Sequence, residues 1–478
     1  MKSSISTFIY LFLLLVPFVS STGGVFKVEH KFFGPGLRER SLFNLSAIKA
    51  HDTARHNRIL AAIDLHLGGN SDPTNSGVYY TEIKLGSPPK RYYVQVDTAS
   101  NDLWVHCAEC NNCKRTEQEF YDPKKSDTGK IVTCKEDFCS NMYGGSYPEC
   151  KSPDMPCEYE ATYMDGSKSS GYYVKDYIHF NQVSGNFLIS PEQESVVFGC
   201  GTKQSGDLRS GSKGLDGLLG FGQSNSSVFS QLASSKKVRK VFSHCLDGQN
   251  GGGIFAIGQV VHPKVKFTPL VPKQPHYNVN LEEIKVGKAS IELPTHLFKT
   301  GEVAMIDSGA TMLYVPDVVY TPMIHEIMSN KPDLKLQTVE NHQCFEYSGS
   351  VDDAFPTVTL HFEDSLILTV YPHEYIFSHE VSGKKLWCIG WQPLKDKTIL
   401  GVLALSNKLV VYDLDKQAIG WTAYNCSSSI QLLDDQTGAL YSVAAHDLSS
   451  ASAMSWFPAA AGASSLLVIK SVTTSPTG

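Results

Sequence analysis

Two short segments of this chain have the same form. VQVDTAS (94–100) and AMIDSGA (304–310) each place three mostly apolar residues before an aspartate, followed by a hydroxyl residue, a small residue, and Ser or Ala. The apolar residues would bury a strand up to the carboxylate, and the small residues would let the chain turn tightly just past it. In such turns the hydroxyls of Thr98 and Ser308 can bond backbone and fix the loop. Two loops of this kind, facing each other, would bring Asp97 and Asp307 within hydrogen-bonding distance. Like charges that close cannot both ionise, so the pair would share one proton and its two pKa values would split. The ionised member can take a proton from water while the protonated one polarises a peptide carbonyl and later helps protonate the leaving nitrogen. That chemistry needs no metal, no organic cofactor and no covalent intermediate. A single segment of this type is a weak signal, since a buried Asp capping a turn is commoner. Two in matching contexts, each with an apolar pair and Gly downstream (LLG at 218–220, ILG at 399–401), make a strong one. The loop residues Thr98, Ala99, Ser100, Ser308, Gly309 and Ala310 are the expected supports of Asp97 and Asp307.

The elements that would carry these loops are strands. From residue 78 to about 425, short β-branched and aromatic runs alternate with Gly, Pro, Asn and Asp turns, as in SVVFGCG, GIFAIGQ, HYNVNLEEIKVG, TVTLHFED and KLVVYDL. This is an all-β pattern. Helical periodicity is confined mainly to residues 227–238 and 318–330. The repeated aspartate segment suits a duplicated, two-lobed molecule. The expected division is an N-terminal lobe over 71–268 and a C-terminal lobe over 269–426, with the boundary near Pro263 to Pro275.

The ends read differently. Lys2 and the apolar run 9–19 have the form of a signal peptide, with small residues beyond it, and the run is short for a membrane span. Residues 1–23 are therefore assigned to a signal peptide. Residues 24–70 are rich in Lys, Arg and His and lack Cys, which suits a propeptide whose cations cover an acidic site; the polar stretch GGNSDPTNSG (68–77) would be its cleavage boundary. The chain has twelve cysteines, nine of them between Cys107 and Cys245. Cys107, Cys110 and Cys113 have metal-ligand spacing, but the signal sequence and even total favour disulfides. Asn44, Asn225 and Asn425 head glycosylation sequons. The net charge of −6 argues against a nucleic-acid partner. The secretory pathway, ending outside the cell, at its surface or in a vacuole, is the expected destination. His106, His244 and His276 receive no role, and Ser308 lacks the GxSxG context of a serine nucleophile.

On these residues the chain resembles the pepsin family of aspartic peptidases, specifically its atypical, cysteine-rich plant branch, over about residues 78–426. The resemblance implies a bilobal, pepsin-like double-barrel fold with the active site in a cleft between the lobes. In DTASNDLWV it implies Asp97 as the first catalytic residue, with Trp104 seven residues on. In EYEATYMDGSKSSGYYVKD (158–176) it implies a mobile flap at Tyr163, Met164, Asp165 and Gly166, with the Tyr163 hydroxyl bonded to the Trp104 indole. It also implies a Cys344–Cys388 disulfide, a polypeptide substrate with apolar side chains around the scissile bond, and a monomer.

Four positions depart from the family pattern. Ala99 stands where Gly is usual, Ala310 where many relatives have Thr or Ser, Val402 where many have Asp, and Met164 where Gly follows the flap tyrosine. Loss of a hydroxyl at 310 should raise the pKa of Asp307, and loss of an anion at 402 should act the other way. The expectation is a working pH less acidic than pepsin's. Ala99 also supports a rival reading, a pepsin-fold binding or inhibitor protein of little or no activity. Residues 427–478 form a C-terminal extension. Ser449, Ser450 and Ala451 could be the small site of a glycolipid anchor, which would be the chain's one link to a membrane. The tail beyond them is only mildly apolar and is interrupted by Lys470, so a soluble form stays open.

Overall fold

The computed structural model describes residues 62–448, apart from 76, 114–115, 143–149, 207, 209–214, 294–302 and 435–436. The signal peptide, Asn44, most of the basic segment and the anchor residues Ser449, Ser450 and Ala451 lie outside the described residues. The N-terminal lobe is built from β1 (Ile63–Asn70), β2 (Val78–Leu85), β3 (Lys90–Asp97), β4 (Leu103–His106), β5 (Glu158–Thr162), β6 (Lys168–Gly185), β7 (Leu188–Ser205), β8 (Gly217–Gly220), α1 (Val228–Ser234), β9 (Val241–Leu246) and β10 (Gly253–Ile257). The pleat explains the sequence pattern. In β2, Tyr79, Thr81, Ile83 and Leu85 point inward and their neighbours outward; in β3, Tyr92, Val94 and Val96 do the same. Helix α1 stops well short of residue 238. Ser227 caps its start by accepting from Ser230 N, and Lys236 adopts a left-handed φ of 58° that ends it.

The C-terminal lobe holds β11 (Asn278–Val286), β12 (Val303–Ile306), β13 (Leu313–Val315), α2 (Asp317–Met328), β14 (Val358–Phe362), β15 (Thr398–Leu400), the single turn α3 (Val402–Leu405), β16 (Lys408–Asp413) and β17 (Ala418–Ala423). The internal repeat is a repeat of topology. In the first lobe β3 runs parallel to β8, which is antiparallel to β4; in the second, β12 runs parallel to β15, which is antiparallel to β13. Each aspartate thus sits where a strand leaves its parallel partner. The Gly of each apolar-apolar-Gly motif lies under the neighbouring loop: a Cβ on Gly220 would come to 2.7 Å from Asp102 N, and one on Gly401 to 2.6 Å from Ala310 O.

The lobes share one 14-stranded sheet, in which β16 pairs with β9 and β17 pairs with β16. The last strands of the second lobe therefore complete the sheet of the first, so the division at 268/269 is one of chain order more than of sheet membership. Two sequence boundaries also move. Ile63–Asn70, inside the expected propeptide, is instead β1, held between β10 and β2, with Ile63, Leu65 and Leu67 buried. Its alternating apolar residues had been masked by the basic composition around it, and residues 71–77 are the β1–β2 connection. Residues after 426 continue as a hairpin, β18 (Ser429–Leu433) with β19 (Leu440–Ala444), which bonds the tip of the β6–β7 hairpin through Phe187 N to Ser442 O (2.9 Å).

All twelve cysteines form disulfides: Cys107–Cys200, Cys110–Cys113, Cys134–Cys150, Cys139–Cys157, Cys245–Cys426 and Cys344–Cys388. The last is the pair the family resemblance implied, and Cys107, Cys110 and Cys113 are committed to sulfur. Because the atoms that crowd a side chain at Gly401 are backbone, they cannot swing aside. Gly401→Ala is expected to cost about 1–3 kcal/mol, read as a melting temperature several degrees lower.

Candidate active site

The two aspartate loops meet at the junction of the lobes and are tied to each other by a reciprocal set of hydrogen bonds. Thr98 N donates to Ser308 Oγ (3.1 Å), and Ser308 N donates to Thr98 Oγ1 (3.0 Å). Each hydroxyl then donates onward across the junction, Thr98 Oγ1 to Ile306 O (3.2 Å) and Ser308 Oγ to Val96 O (3.1 Å). Both hydroxyl residues are buried, so every donor and acceptor of this set is used inside protein rather than in water.

This brace brings Asp97 and Asp307 within hydrogen-bonding reach of each other, with both carboxyls buried. Asp97 Oδ1 accepts from Ala99 N (2.8 Å); Asp307 Oδ1 accepts from Gly309 N (2.8 Å) and Ala310 N (3.2 Å). Burial raises the pKa of Asp97, offset in part by the Ser100 hydroxyl and by the N–H groups of Ala99 and Ser100. Burial also raises Asp307, followed by repulsion from Asp97, and pushes it up to about 8. The pair therefore keeps one proton between its two carboxyls over this range. A Cβ on Gly309 would reach 2.6 Å from Asp97 Cγ, so this glycine is what lets the carboxyls approach.

The flap is the β5–β6 hairpin. Tyr163 N donates to Ser167 O (2.9 Å), Asp165 Oδ1 accepts from Ser167 N (2.9 Å), and Gly166 takes φ 81° at the turn. Trp104 Nε1 donates to Tyr163 Oη at 2.7 Å, the pairing implied by the resemblance. Burial raises the Tyr163 pKa, with Asp97 adding to it, so the phenol stays protonated. Met164, next to it, is 57% exposed at the hairpin tip.

Several residues around the dyad carried no sequence signal. His276 Nδ1 lies 2.8 Å from Ala99 O, and His276 O accepts from Gln223 Nε2 (2.8 Å), so the segment entering the second lobe grips the first aspartate loop. Tyr412, on β16, lies against Thr98 and feels the charge of Asp307; its hydroxyl is 3.1 Å from His244 Nε2. Tyr314, on β13, is close enough to both Asp307 and flap Asp165 that their charges raise its pKa, after burial. The contacts of His276 and Tyr412 join segments far apart in the chain, which no local motif encodes. His106 and His244 are buried and neutral, lowered to about 4 and about 3 by desolvation. Asn225 and Asn425 are exposed.

The family model described as xylanase inhibitor N-terminal matches residues 79–259, and the one described as xylanase inhibitor C-terminal matches residues 276–423. The chain is 47% identical to aspartic proteinase 39 of Arabidopsis thaliana over 454 residues, which cover 92% of each chain. It is 47% identical to aspartic proteinase 36 of the same plant over 464 residues, 94% of this chain and 93% of that one. In fold it is similar to basic 7S globulin from soybean, with a TM-score of 0.58 at 19% identity over 77% of this chain and 95% of that one. It is also similar to conglutin gamma from lupine seeds, with a TM-score of 0.60 at 17% identity over 76% and 95%. At these identities the likeness to solved structures concerns the fold alone.

The dyad has a stability consequence whose sign is fixed by its pKa shifts. The folded state keeps a proton that the unfolded chain releases above the ordinary value of 3.8, so stability falls as pH rises from there towards about 8. Asp307→Asn removes the charge that would form. Its melting temperature should exceed that of the unsubstituted protein by several degrees near neutral pH, and the difference should fade at about pH 4. Calorimetry of both forms at the two pH values checks this.

Proposed function

This chain belongs to the plant aspartic proteinase family, and on that premise we propose that it is an active endopeptidase in which Asp97 and Asp307 activate a water against a peptide carbonyl. The observation that carries the reading is the braced carboxyl pair, buried and within hydrogen-bonding reach of each other. Asp97, the more readily ionised member, takes the proton from water. Asp307, protonated, donates its proton to the carbonyl oxygen as the tetrahedral diol forms; the proton that Asp97 took from water passes to the leaving nitrogen, and collapse of the diol returns a proton to Asp307. The substrate is an extended polypeptide laid under the flap, whose orientation is set by the Trp104–Tyr163 bond.

Two further points of biology go with this reading. Twelve cysteines in six disulfides suit folding in the secretory pathway. Because β1 is sandwiched in the sheet, removal of the basic segment would have to cut upstream of Ile63 rather than at the 68–77 stretch. The rival reading, a pepsin-fold binding or inhibitor protein, draws on the description of the matching family models and on Ala99.

The dyad works only while it holds one proton. Below the pKa of Asp97, which lies above 3.8, there is no base; above that of Asp307, near 8, there is no acid. Activity on a denatured protein should therefore peak at weakly acidic to neutral pH. Asp97→Asn should lower kcat at least about a thousandfold, and pepstatin should abolish cleavage. A sharp optimum below about pH 3 would refute the proton assignment. No cleavage at any pH by the folded, matured protein would favour the binding-protein reading, and recovery of activity in Ala99→Gly would trace the loss to that methyl.

A further inference from the structure

Three carbonyls of the first aspartate loop are bonded by backbone of their own lobe. Asp97 O accepts from Phe221 N (2.7 Å), Ser100 O from Gly222 N (2.7 Å) and Asp102 O from Gly220 N (3.2 Å). Ala99 O is different. Its donor is a side chain, His276 Nδ1 at 2.8 Å, from the segment that leads into the second lobe. That segment is itself pinned to the first lobe. His276 O accepts from Gln223 Nε2 (2.8 Å), and Tyr277 Oη donates to Phe221 O (2.6 Å). The imidazole is thus anchored on the same 221–223 stretch that bonds Asp97 O and Ser100 O.

Ala99 O and the Ser100 N–H belong to one peptide group. In a trans peptide they point in opposite directions, so whatever fixes one fixes the other. Here the oxygen points at His276, and the N–H points at the Asp97 carboxyl, where it favours the ionised form together with the Ala99 N–H. A carbonyl oxygen only accepts, so Nδ1 of His276 carries a proton whether the ring is neutral or charged. A donor on the oxygen also polarises the peptide, which strengthens its N–H as a donor to Asp97.

We propose that His276 is a positioning residue for the aspartate pair: by donating to Ala99 O it fixes the 99–100 peptide, so that the Ser100 N–H stays on Asp97 and favours its charged form. As a role in catalysis this rests on the endopeptidase reading; as a role in the acidity of the pair it does not. The other titratable groups around Asp97 are Asp307 across the brace and Tyr163 of the flap, while Tyr412 and Tyr314 face Asp307. Burial raises all three phenols, so they stay neutral while the carboxyls titrate.

The test follows the carboxyls themselves. The folded, matured protein, labelled with ¹³C at its aspartate carboxyls, is titrated by NMR, and the Asp97 signal is identified by its loss in Asp97→Asn. In parallel, the acid limb of kcat/KM is measured on a denatured protein. His276→Phe keeps a ring and removes the donor. It should raise the lower apparent pKa of the pair by about 0.5–1 pH unit and move the acid limb with it. His276→Asn puts an N–H where Nδ1 stands and removes the charge of the ring; it should titrate as the parent does. The parent's lower pKa in folded His276→Phe would overturn the proposal. So would equal shifts in the Phe and Asn variants, which would make the effect one of ring charge. Melting curves check folding. Should His276→Phe fail to fold, ¹⁵N shifts of the parent's His276 decide: a neutral ring protonated at Nδ1 supports the proposal, and one protonated at Nε2 overturns it. Carboxyl shifts as expected, without cleavage by any form, would leave this inference standing and count against the endopeptidase reading alone.

Discussion

The reciprocal Thr98–Ser308 hydrogen bonds are the constraint on which the rest of the site depends. Each loop on its own would present a carboxylate at the end of a strand, well solvated and of ordinary acidity. Locked together, the loops place two carboxyls side by side away from water. Two unit charges about 4 Å apart at an effective dielectric of about 20 repel by about 4 kcal/mol. Burial adds to that repulsion a desolvation cost of several kcal/mol for each ion. The backbone N–H groups of Ala99, Gly309 and Ala310 therefore cannot ionise both members, and a shared proton is the outcome. The lobes hold this arrangement because their strands are interleaved. With β16 and β17 joined to β9, pulling the lobes apart would break sheet hydrogen bonds as well as the brace.

Much of this was legible in the chain because it is encoded locally. Asp97, Thr98, Asp307 and Ser308 lie in two copies of one short pattern, and each copy has its Gly partner in a second motif. Trp104 and Tyr163 sit at fixed distances from such motifs, and their bond forms as the resemblance implied. What escaped was set by distance in the fold. Strand β1 was hidden inside a basic segment because its buried face is three apolar residues long, and only pairing with Ile254–Ile257 and Leu67–Asn70 with β2 identifies it as sheet. His276 grips Ala99 from 177 residues away, and Tyr412 reaches the dyad from the strand that pairs with β9 near the end of the chain's second half. A histidine on a β-chain looks the same in sequence whether it bonds an aspartate loop, as His276 does, or sits neutral in the core, as His244 does.

The two loops are near copies but not equals, and the difference bears on whether Ala99 disables the first. At Gly309 a methyl would strike the carboxyl of Asp97, so glycine is required on that side for the carboxyls to meet. Ala99 occupies the matching place in the other loop, and there the chain already accommodates its methyl. Its N–H still donates to Asp97 at 2.8 Å, and Thr98 and Ser308 keep all four of their cross-loop bonds. Its carbonyl is held in addition by His276, a contact that steadies the loop from outside. A methyl that had displaced the loop would have lengthened or broken one of these bonds first. The geometry of the first loop is thus preserved with alanine in it, and what the methyl can still alter is the space left for substrate, not the placement of the carboxylate.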